Sequence, residues 1–420
     1  MAEPIRIGIV GCGRILNAHL HGYRQLREAG FHHFRITALC ARRREDALMF
    51  RKRGEGPPPR PPVLPPESGD PLAAPHIWLD DFQPDTEVAI FTDYQAMIDS
   101  GLVDAVNDFT TLAMHHQIGA AALRAGKHLL TQKPLAITVR AGRLLVDLAQ
   151  ERGLTLGVFE NVRQMEEVRA AAWAVNTGQI GELQMALFGG VGGPWSPNKI
   201  VAETPWRHRK LQAGGGGAID IGVHVMDWLR TVGGEVTRVA GTVGILEPVR
   251  YLHGDPATGV QVEADVDDTY MATVTTETGA VAQLLWSWGG HGEATPIPGG
   301  PVFYGSKGCI KDGQIILDDG SRRDLVAAYW AEADPGLREA QFPHGFRDPF
   351  AIQQWDWLQA IEQGGQPETD GMEGLRDLAA AYGIIESSHL GRAVSLDEIL
   401  SGTVDGYQRE IDVHYGLRES

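Results

Sequence analysis

The chain is 420 residues long with 43% hydrophobic and 22% charged residues, the composition of a folded protein of two or three domains and not of a disordered one. Its 37 Lys and Arg against 54 Asp and Glu leave a formal charge of −17, which repels phosphate backbones and anionic lipid, so neither nucleic acid nor membrane is an expected partner. No apolar run approaches the roughly 20 residues that cross a bilayer. The start, Met1-Ala2-Glu3-Pro4-Ile5, enters a strand pattern directly, without the basic and apolar regions of a secretory signal. Cys12, Cys40 and Cys309 are too few and too scattered for a disulfide framework, and a soluble, cytoplasmic protein is expected.

Residues 5–10 alternate and then become continuously apolar, as a buried strand does. Gly11-Cys12-Gly13 punctuates them, residues 14–29 read as a helix, and a second strand runs from Phe34 to Cys40. Strand, glycine turn, helix and strand in that order form the βαβ unit of a parallel sheet. Nine of the nineteen residues at 57–75 are proline, which denies the backbone both helix geometry and ladder donors. An exposed, polyproline-like insertion at about 54–76 is expected there, without a catalytic role. Order returns with strands at 88–91 and 103–106, a helix over 114–125, a strand at 127–131, a helix over 139–152 and a strand at 155–159. From 182 the strands are longer and alternate, at 183–189, 235–245, 269–276 and 280–288, which predicts antiparallel pairing on one open sheet. Gly214 to Gly217 mark a backbone that bends sharply or approaches something closely. Residues 348–390 read as helix.

Three constellations carry chemistry. Gly11 and Gly13, with Arg14 and Ile15 at the mouth of the helix, let backbone N–H groups approach a pyrophosphate at the positive end of the helix dipole. The second strand ends in Ala41-Arg42-Arg43-Arg44 where an acidic residue would bind a ribose 2′-hydroxyl. Guanidiniums there favour a 2′-phosphate, so NADP is expected over NAD. Next, Thr110 to His115 and Gln132-Lys133-Pro134 both follow apolar strands, at the strand carboxyl ends where open parallel sheets bind ligands. Finally, Asp220 and His224 are four residues apart, on one face if helical, with Asp227 next along it. A carboxylate that orients an imidazole makes a general acid/base. No third partner stands at metal-ligand spacing, so no metal is expected. His19, His21, His32 and His33 read as helix-surface or packing residues.

Together these pieces resemble the glucose–fructose oxidoreductase/inositol dehydrogenase/MocA (Gfo/Idh/MocA) family. The resemblance rests on Ile-Gly-Ile-Val-Gly-Cys-Gly (7–13), Asp104-Ala105-Val106 leading to Thr110 and His115, Ala125-Gly126-Lys127-His128 before Gln132-Lys133-Pro134, and the stretch from Gly215 to His224 with Asp227. It implies an α/β fold: a Rossmann domain with a doubly wound parallel sheet, then an α/β domain with a large, mostly antiparallel open sheet. Their expected bounds are 1–155 and 156–420, the helices at 348–390 packing near the first. It also implies a nicotinamide cofactor held by Gly11, Gly13, Arg14, Ile15, Arg42, Arg43, Thr110, His115, Gln132 and Lys133. The substrate is a sugar or cyclitol, and the catalytic residues are Lys133, Asp220 and His224. Asn161, Arg163, Trp206 and Arg207 are the expected substrate contacts. A homodimer or homotetramer formed through the open sheet face is implied as well. The chain departs from the family in Gln132 for glutamate, Thr111 for proline and Leu16 for a small residue. Two alternatives stand beside this one: an NAD-dependent glycosidase acting by transient oxidation and elimination, which uses the same Lys, Asp and His, and a non-catalytic sensor of cofactor and sugar, which predicts their loss.

Overall fold

The computed structural model describes residues 3–192, 204–251, 255–290, 292–297 and 300–419. It divides into two compact units, one made of Met1–Ala136, Gly142–Asn161 and Gly345–Gly374, the other of Ile137–Ala141, Val162–His344 and Leu375–Ser420. The division is therefore not a single cut near 155, because the chain returns to the first unit at Gly345. No described helix is long and apolar enough to cross a membrane.

The first unit is built on six parallel strands: β1 (Ile5–Val10), β2 (Phe34–Cys40), β3 (Ala89–Phe91), β4 (Ala105–Asp108), β5 (His128–Gln132) and β6 (Leu156–Phe159), in the order β3-β2-β1-β4-β5-β6. The order reverses between β1 and β4, and a crevice opens at the carboxyl ends of the strands flanking such a switch point. Helices α1 (Leu16–Glu28), α2 (Arg44–Arg51), α3 (Tyr94–Asp99), α4 (Leu112–Arg124) and α5 (Val139–Arg152) follow successive strands. Helix α1 begins at Leu16 instead of 14, and buries Leu16, Leu20, Tyr23 and Leu26 completely, the i, i+4, i+7 spacing of a core-facing stripe. Leu16, which stands where relatives carry a small residue, is thus absorbed by packing. The helical stretch expected over 348–390 consists of two helices, Pro349–Gln363 and Gly371–Leu390. Asp348 caps the first by accepting from the Phe350 N–H at 2.9 Å, and Gly364 ends it at φ 68°, as capping chemistry dictates.

The proline-rich insertion connects α2 to β3 and is not a loose excursion. It folds into short 3₁₀ turns at Pro66–Ser68, Pro71–Ala73 and Leu79–Asp81, and Ala73, Ile77 and Leu79 are buried. The Pro75 carbonyl lies 2.9 Å from His21 Nε2, and His76 Nε2 lies 3.1 Å from the Met49 carbonyl. Proline removes ladder donors but leaves carbonyls and side chains free to dock.

The second unit carries α6 (Glu166–Asn176), β7 (Leu183–Val191), the short α7 (Lys210–Ala213) and α8 (Gly217–Asp220), then α9 (Gly222–Gly233) and β8 (Val236–Gly244). A two-strand ribbon, β9 (Val249–Tyr251) with β10 (Gln261–Glu263), precedes β11 (Thr269–Thr276), β12 (Val281–Ser287) and the bridge-like β13 (Thr295–Pro296). Four more strands follow, β14 (Val302–Gly305), β15 (Gly308–Lys311), β16 (Gln314–Leu317) and β17 (Arg322–Asp324), and β18 (Val394–Ser395) comes last. The large sheet runs β17-β16-β15-β14-β7-β12-β11-β8-β18, with β13 on β7. It is mixed: β12 lies parallel to β7, Val281 opposite Met185 through Ser287 opposite Val191. Alternation specifies which face is buried but not strand direction, and the long connection between β7 and β12 frees that pair from hairpin geometry. Along β11 the period-two pattern is clear, with Tyr270, Ala272 and Val274 buried and Met271 54% exposed.

Candidate active site

In the first unit the site is built on the turn after β1. Gly11 has φ 103°, and a Cβ there would come within 2.5 Å of the Phe109 carbonyl oxygen, so only glycine fits. A Cβ on Gly13 would meet nothing within 4 Å, so that backbone faces open space. Helix α1 has Ile15 at its N-cap, no side-chain cap and no acidic residue in its first turn. No side chain therefore competes with an anion for the positive end of the helix. These features fit a dinucleotide pyrophosphate, with Arg14 exposed beside them.

The arginines after β2 separate. Arg42 is exposed and has no partner among the described residues. Arg43 instead grips Asp46 with both Nε (3.0 Å) and Nη2 (2.9 Å), and Arg44 reaches the Ile90 carbonyl. Burial alone would raise the Asp46 carboxyl, but the Arg43 hydrogen bonds and the charges of Arg60 and Arg43 hold it below the usual range.

The residues near Lys133 form a braced turn. His115 is 1% exposed; its Nδ1 lies 2.9 Å from the Pro134 carbonyl and its Nε2 3.3 Å from the Thr110 carbonyl. It therefore ties α4 to the Lys133–Pro134 turn and to Thr110, where the sequence suggested a direct cofactor contact. Thr110 donates to Asp108 Oδ1 through its N–H (3.0 Å) and hydroxyl (2.6 Å). Gln132 accepts from the Lys133 N–H at 3.0 Å and places Nε2 3.1 Å from His19 Nε2. Burial pushes His19 far below the usual imidazole range, and it stacks on Phe109 at 3.5 Å. A neutral imidazole is well matched by the amide of Gln132, where a glutamate would bury a charge. His19 is a packing residue, as expected, and an anchor for Gln132 besides. Lys133 is half-buried.

In the second unit, the glycine run bends around a carboxylate. Asp267 accepts from the Gly216 N–H at 2.7 Å and the Ala218 N–H at 2.8 Å. A Cβ on Gly216 would sit 1.6 Å from the Asp267 carbonyl oxygen. Burial pushes the Asp267 carboxyl up to about 6, against the backbone hydrogen bonds that lower it. From this turn α8 ends at Asp220 and α9 carries His224, one helical turn apart. Asp220 Oδ2 accepts from Arg207 Nε at 3.2 Å, and the Arg207 guanidinium lies over the Trp206 ring at 4.4 Å. Three of the expected residues are thus brought together in this unit.

Arg163 and Asp227 are corrections. The 3₁₀ turn Val162–Gln164 directs Arg163 inward, where its Nε donates to Asp227 Oδ1 at 2.8 Å and its Nη2 also pairs with that oxygen. Both are buried, so Arg163 serves the core and not a substrate. Asp227 turns to this pair instead of extending the Asp220–His224 face. Asn161 is half-buried at the end of the first unit's Gly142–Asn161 segment. Among the described residues no group of His, Cys, Asp or Glu is arranged to hold a metal ion.

Asp108, Asp267 and Asp46 escaped the sequence reading. Asn107-Asp108 interrupts an apolar strand and Asp267-Asp268 opens an alternating one, which were the available signals. Burial raises the Asp108 carboxyl, and one of its oxygens has no partner in the structure.

Two family profiles match the chain: an oxidoreductase family with an NAD-binding Rossmann fold, over residues 79–160, and the GFO/IDH/MocA C-terminal domain, over residues 168–311. A 1,5-anhydro-D-fructose reductase from Ensifer adhaerens is 27% identical over 73% of this chain and 84% of its own. A levoglucosan dehydrogenase from Pseudarthrobacter phenanthrenivorans is 27% identical over 71% of this chain and 81% of its own. The solved structure of a levoglucosan dehydrogenase in complex with NADH and L-sorbose superposes with a TM-score of 0.70 at 20% identity, covering 94% of this chain and 99% of that one.

Proposed function

The chain belongs to the Gfo/Idh/MocA oxidoreductase family, and from that premise we propose that it transfers a hydride between a nicotinamide cofactor and a secondary hydroxyl or ketone of a sugar or cyclitol. The observation that carries this reading is the retention of both halves of the chemistry: a capless helix N-terminus behind Gly11 and Gly13, and Asp220 and His224 on consecutive helical turns. Bound nicotinamide supplies the hydride acceptor or donor. His224 takes the hydroxyl proton during oxidation and returns it during reduction. The Lys133 amine hydrogen-bonds the reacting oxygen and stabilises its developing negative charge. Asp220, held by Arg207, binds the substrate or keeps His224 in its working tautomer.

Arg42, exposed and unpartnered, supports NADP as the preferred cofactor, since no carboxylate at the end of β2 selects a free 2′-hydroxyl. Relatives named for 1,5-anhydro-D-fructose, levoglucosan and D-apiose support a sugar, with Trp206 and Arg207 offering stacking and hydrogen bonding. A cytoplasmic location is supported by three unpaired cysteines. A homodimer or homotetramer is supported by the apolar outer face of the large sheet.

The test is to incubate the protein with NAD+ or NADP+ and a panel of sugars and inositols while following reduced nicotinamide. Reduction of NADP+ in preference to NAD+ is expected. Lys133→Ala is expected to abolish turnover, by at least ~10²-fold, while cofactor binding persists. A protein that binds both ligands but turns over none of the panel is a sensor, and one that releases free sugar without net reduction is a glycosidase.

A further inference from the structure

The proline-rich insertion carries a single basic residue between Pro57 and Pro75, Arg60. Leaving α2, the chain runs back along that helix and sets Arg60 beside the turn after β1. Arg60 Nη1 donates to the Cys12 carbonyl, between the two glycines of the turn, at 3.1 Å. Its Nη2 pairs with Asp46 Oδ1. With Arg14 and Asn17, Arg60 lines a small pocket under the start of α1. The side chain remains 29% exposed, so its contacts do not wall it off from a ligand.

Asp46 stands in the first turn of α2, close after the arginines at the end of β2. An acidic side chain in this neighbourhood repels a 2′-phosphate, for the same reason that a carboxylate at the strand end selects NAD. Here the carboxylate is gripped from two sides, by Arg43 of its own helix and by Arg60 of the insertion. Arg43 alone would cancel the charge of Asp46 and have nothing left over. With Arg60 added, Asp46 is outnumbered, so Arg43 keeps a share of positive charge to add to that of Arg42, against Glu45 in the same turn.

We propose that Arg60 is a cofactor-specificity residue: by neutralising Asp46 from the insertion, it allows the arginine cluster after β2 to accept the 2′-phosphate of NADP. The inference rests on the NADP reading of Arg42. It assigns the insertion a role in cofactor choice that its composition alone does not reveal.

The experiment is equilibrium binding of NADP+ and NAD+ by calorimetry to the full chain and to Arg60→Gln, Asp46→Asn and the double variant. Glutamine keeps a donor for the Cys12 carbonyl but removes the charge. Arg60→Gln is expected to weaken NADP+ by about tenfold and NAD+ by less than about threefold, one charge-assisted contact's worth. Asp46→Asn alone should leave NADP+ binding as tight or tighter, and in the double variant the effect of Arg60→Gln should shrink to about twofold or less, because no carboxylate remains to be neutralised. Equal weakening of both dinucleotides overturns the proposal and reduces Arg60 to a brace for the turn. No change in either, or a loss of equal size in the Asp46→Asn background, overturns it too. The wild-type ratio of the two affinities tests the NADP reading separately. If wild type binds NAD+ more tightly, that reading fails, while a selective loss of NADP+ on Arg60→Gln still upholds the role of Arg60. If Arg60→Gln lacks a native thermal transition, Asp46→Asn decides, since weakened NADP+ binding there contradicts the account.

Discussion

Arg163 and Arg207 are both basic residues in short 3₁₀ turns, and the chain places them in opposite circumstances. Arg163 is buried against Asp227, where removing the guanidinium strips a buried carboxylate of its charge-assisted hydrogen bonds. Arg163→Ala is therefore expected to cost about 3–5 kcal/mol of stability, read as a large fall in melting temperature, with KM unchanged for the protein that remains folded. Arg207 is about a quarter exposed, as is its partner Asp220, so Arg207→Ala should cost at most about 1 kcal/mol of stability. It releases Asp220 and removes a guanidinium from Trp206, so KM for the sugar should rise roughly tenfold, as for loss of one charge-assisted hydrogen bond. A fall in melting temperature for Arg207→Ala as large as that for Arg163→Ala would contradict the distinction. Sequence could not draw it, because burial of a loop side chain depends on what α9 presents to it. The glycine turn, by contrast, was legible at residue level, since Gly11 and Gly13 leave their signature in the chain itself.

At the scale of elements, the buried face of α4 gives the protein an acid limb that the mouth of β11 opposes. Burial lowers His116 on α4 to about 4 from its ordinary 6.5, and holds His19 on α1 well below the usual imidazole range too. Between about pH 6.5 and 4 the unfolded chain binds protons at these imidazoles that the native state refuses. Their contribution is complete above pH 6.5 and is lost as pH falls, His116 accounting for about 3 kcal/mol. Asp267 acts in the opposite sense. Its raised carboxyl keeps a proton to about pH 6, so the native state holds more protons than the unfolded one between about pH 4 and 6, and stability declines as pH rises through that window. Urea melts from pH 7 to 4.5 are expected to show less acid destabilisation in His116→Gln than in the parent. Asp267→Asn puts an amide N–H against the Gly216 or Ala218 N–H, and should cost about 1–3 kcal/mol. It should also lower kcat, because the turn that delivers Asp220 and His224 loosens. The pattern of local elements was readable because strands and helices write their periodicity in consecutive residues. The parallel pairing of β7 with β12 and the docking of the insertion on Cys12 and Asp46 depend on partners far along the chain, which no local window contains.

For the molecule as a whole, the parallel sheet follows from the order of elements, which was visible, whereas the mixed direction of the large sheet does not. The return of Gly345–Gly374 to the first unit was expected through the resemblance alone, because the apolar stripe of Pro349–Gln363 shows only that the helix packs, and not on what. The outer face of the large sheet leaves Tyr304, Met185 and Val281 in register across β14, β7 and β12, with Met271 two strands over from β7. Such a band needs cover. Met271→Asp is expected to shift the protein to a smaller species in sedimentation at micromolar concentration, and an unchanged mass would remove this face as the interface.

The central claim is that Lys133 and His224 serve one redox event at a sugar carbon, and it is met most directly by isotope transfer. A sugar from the panel bearing deuterium on the carbinol carbon, incubated with NADP+, should yield one deuterium on the reduced nicotinamide per keto sugar formed. Lys133→Ala and His224→Ala should each abolish the transfer while still binding cofactor. Product formed without deuterium reaching the nicotinamide, or transfer undiminished in either variant, would contradict the account.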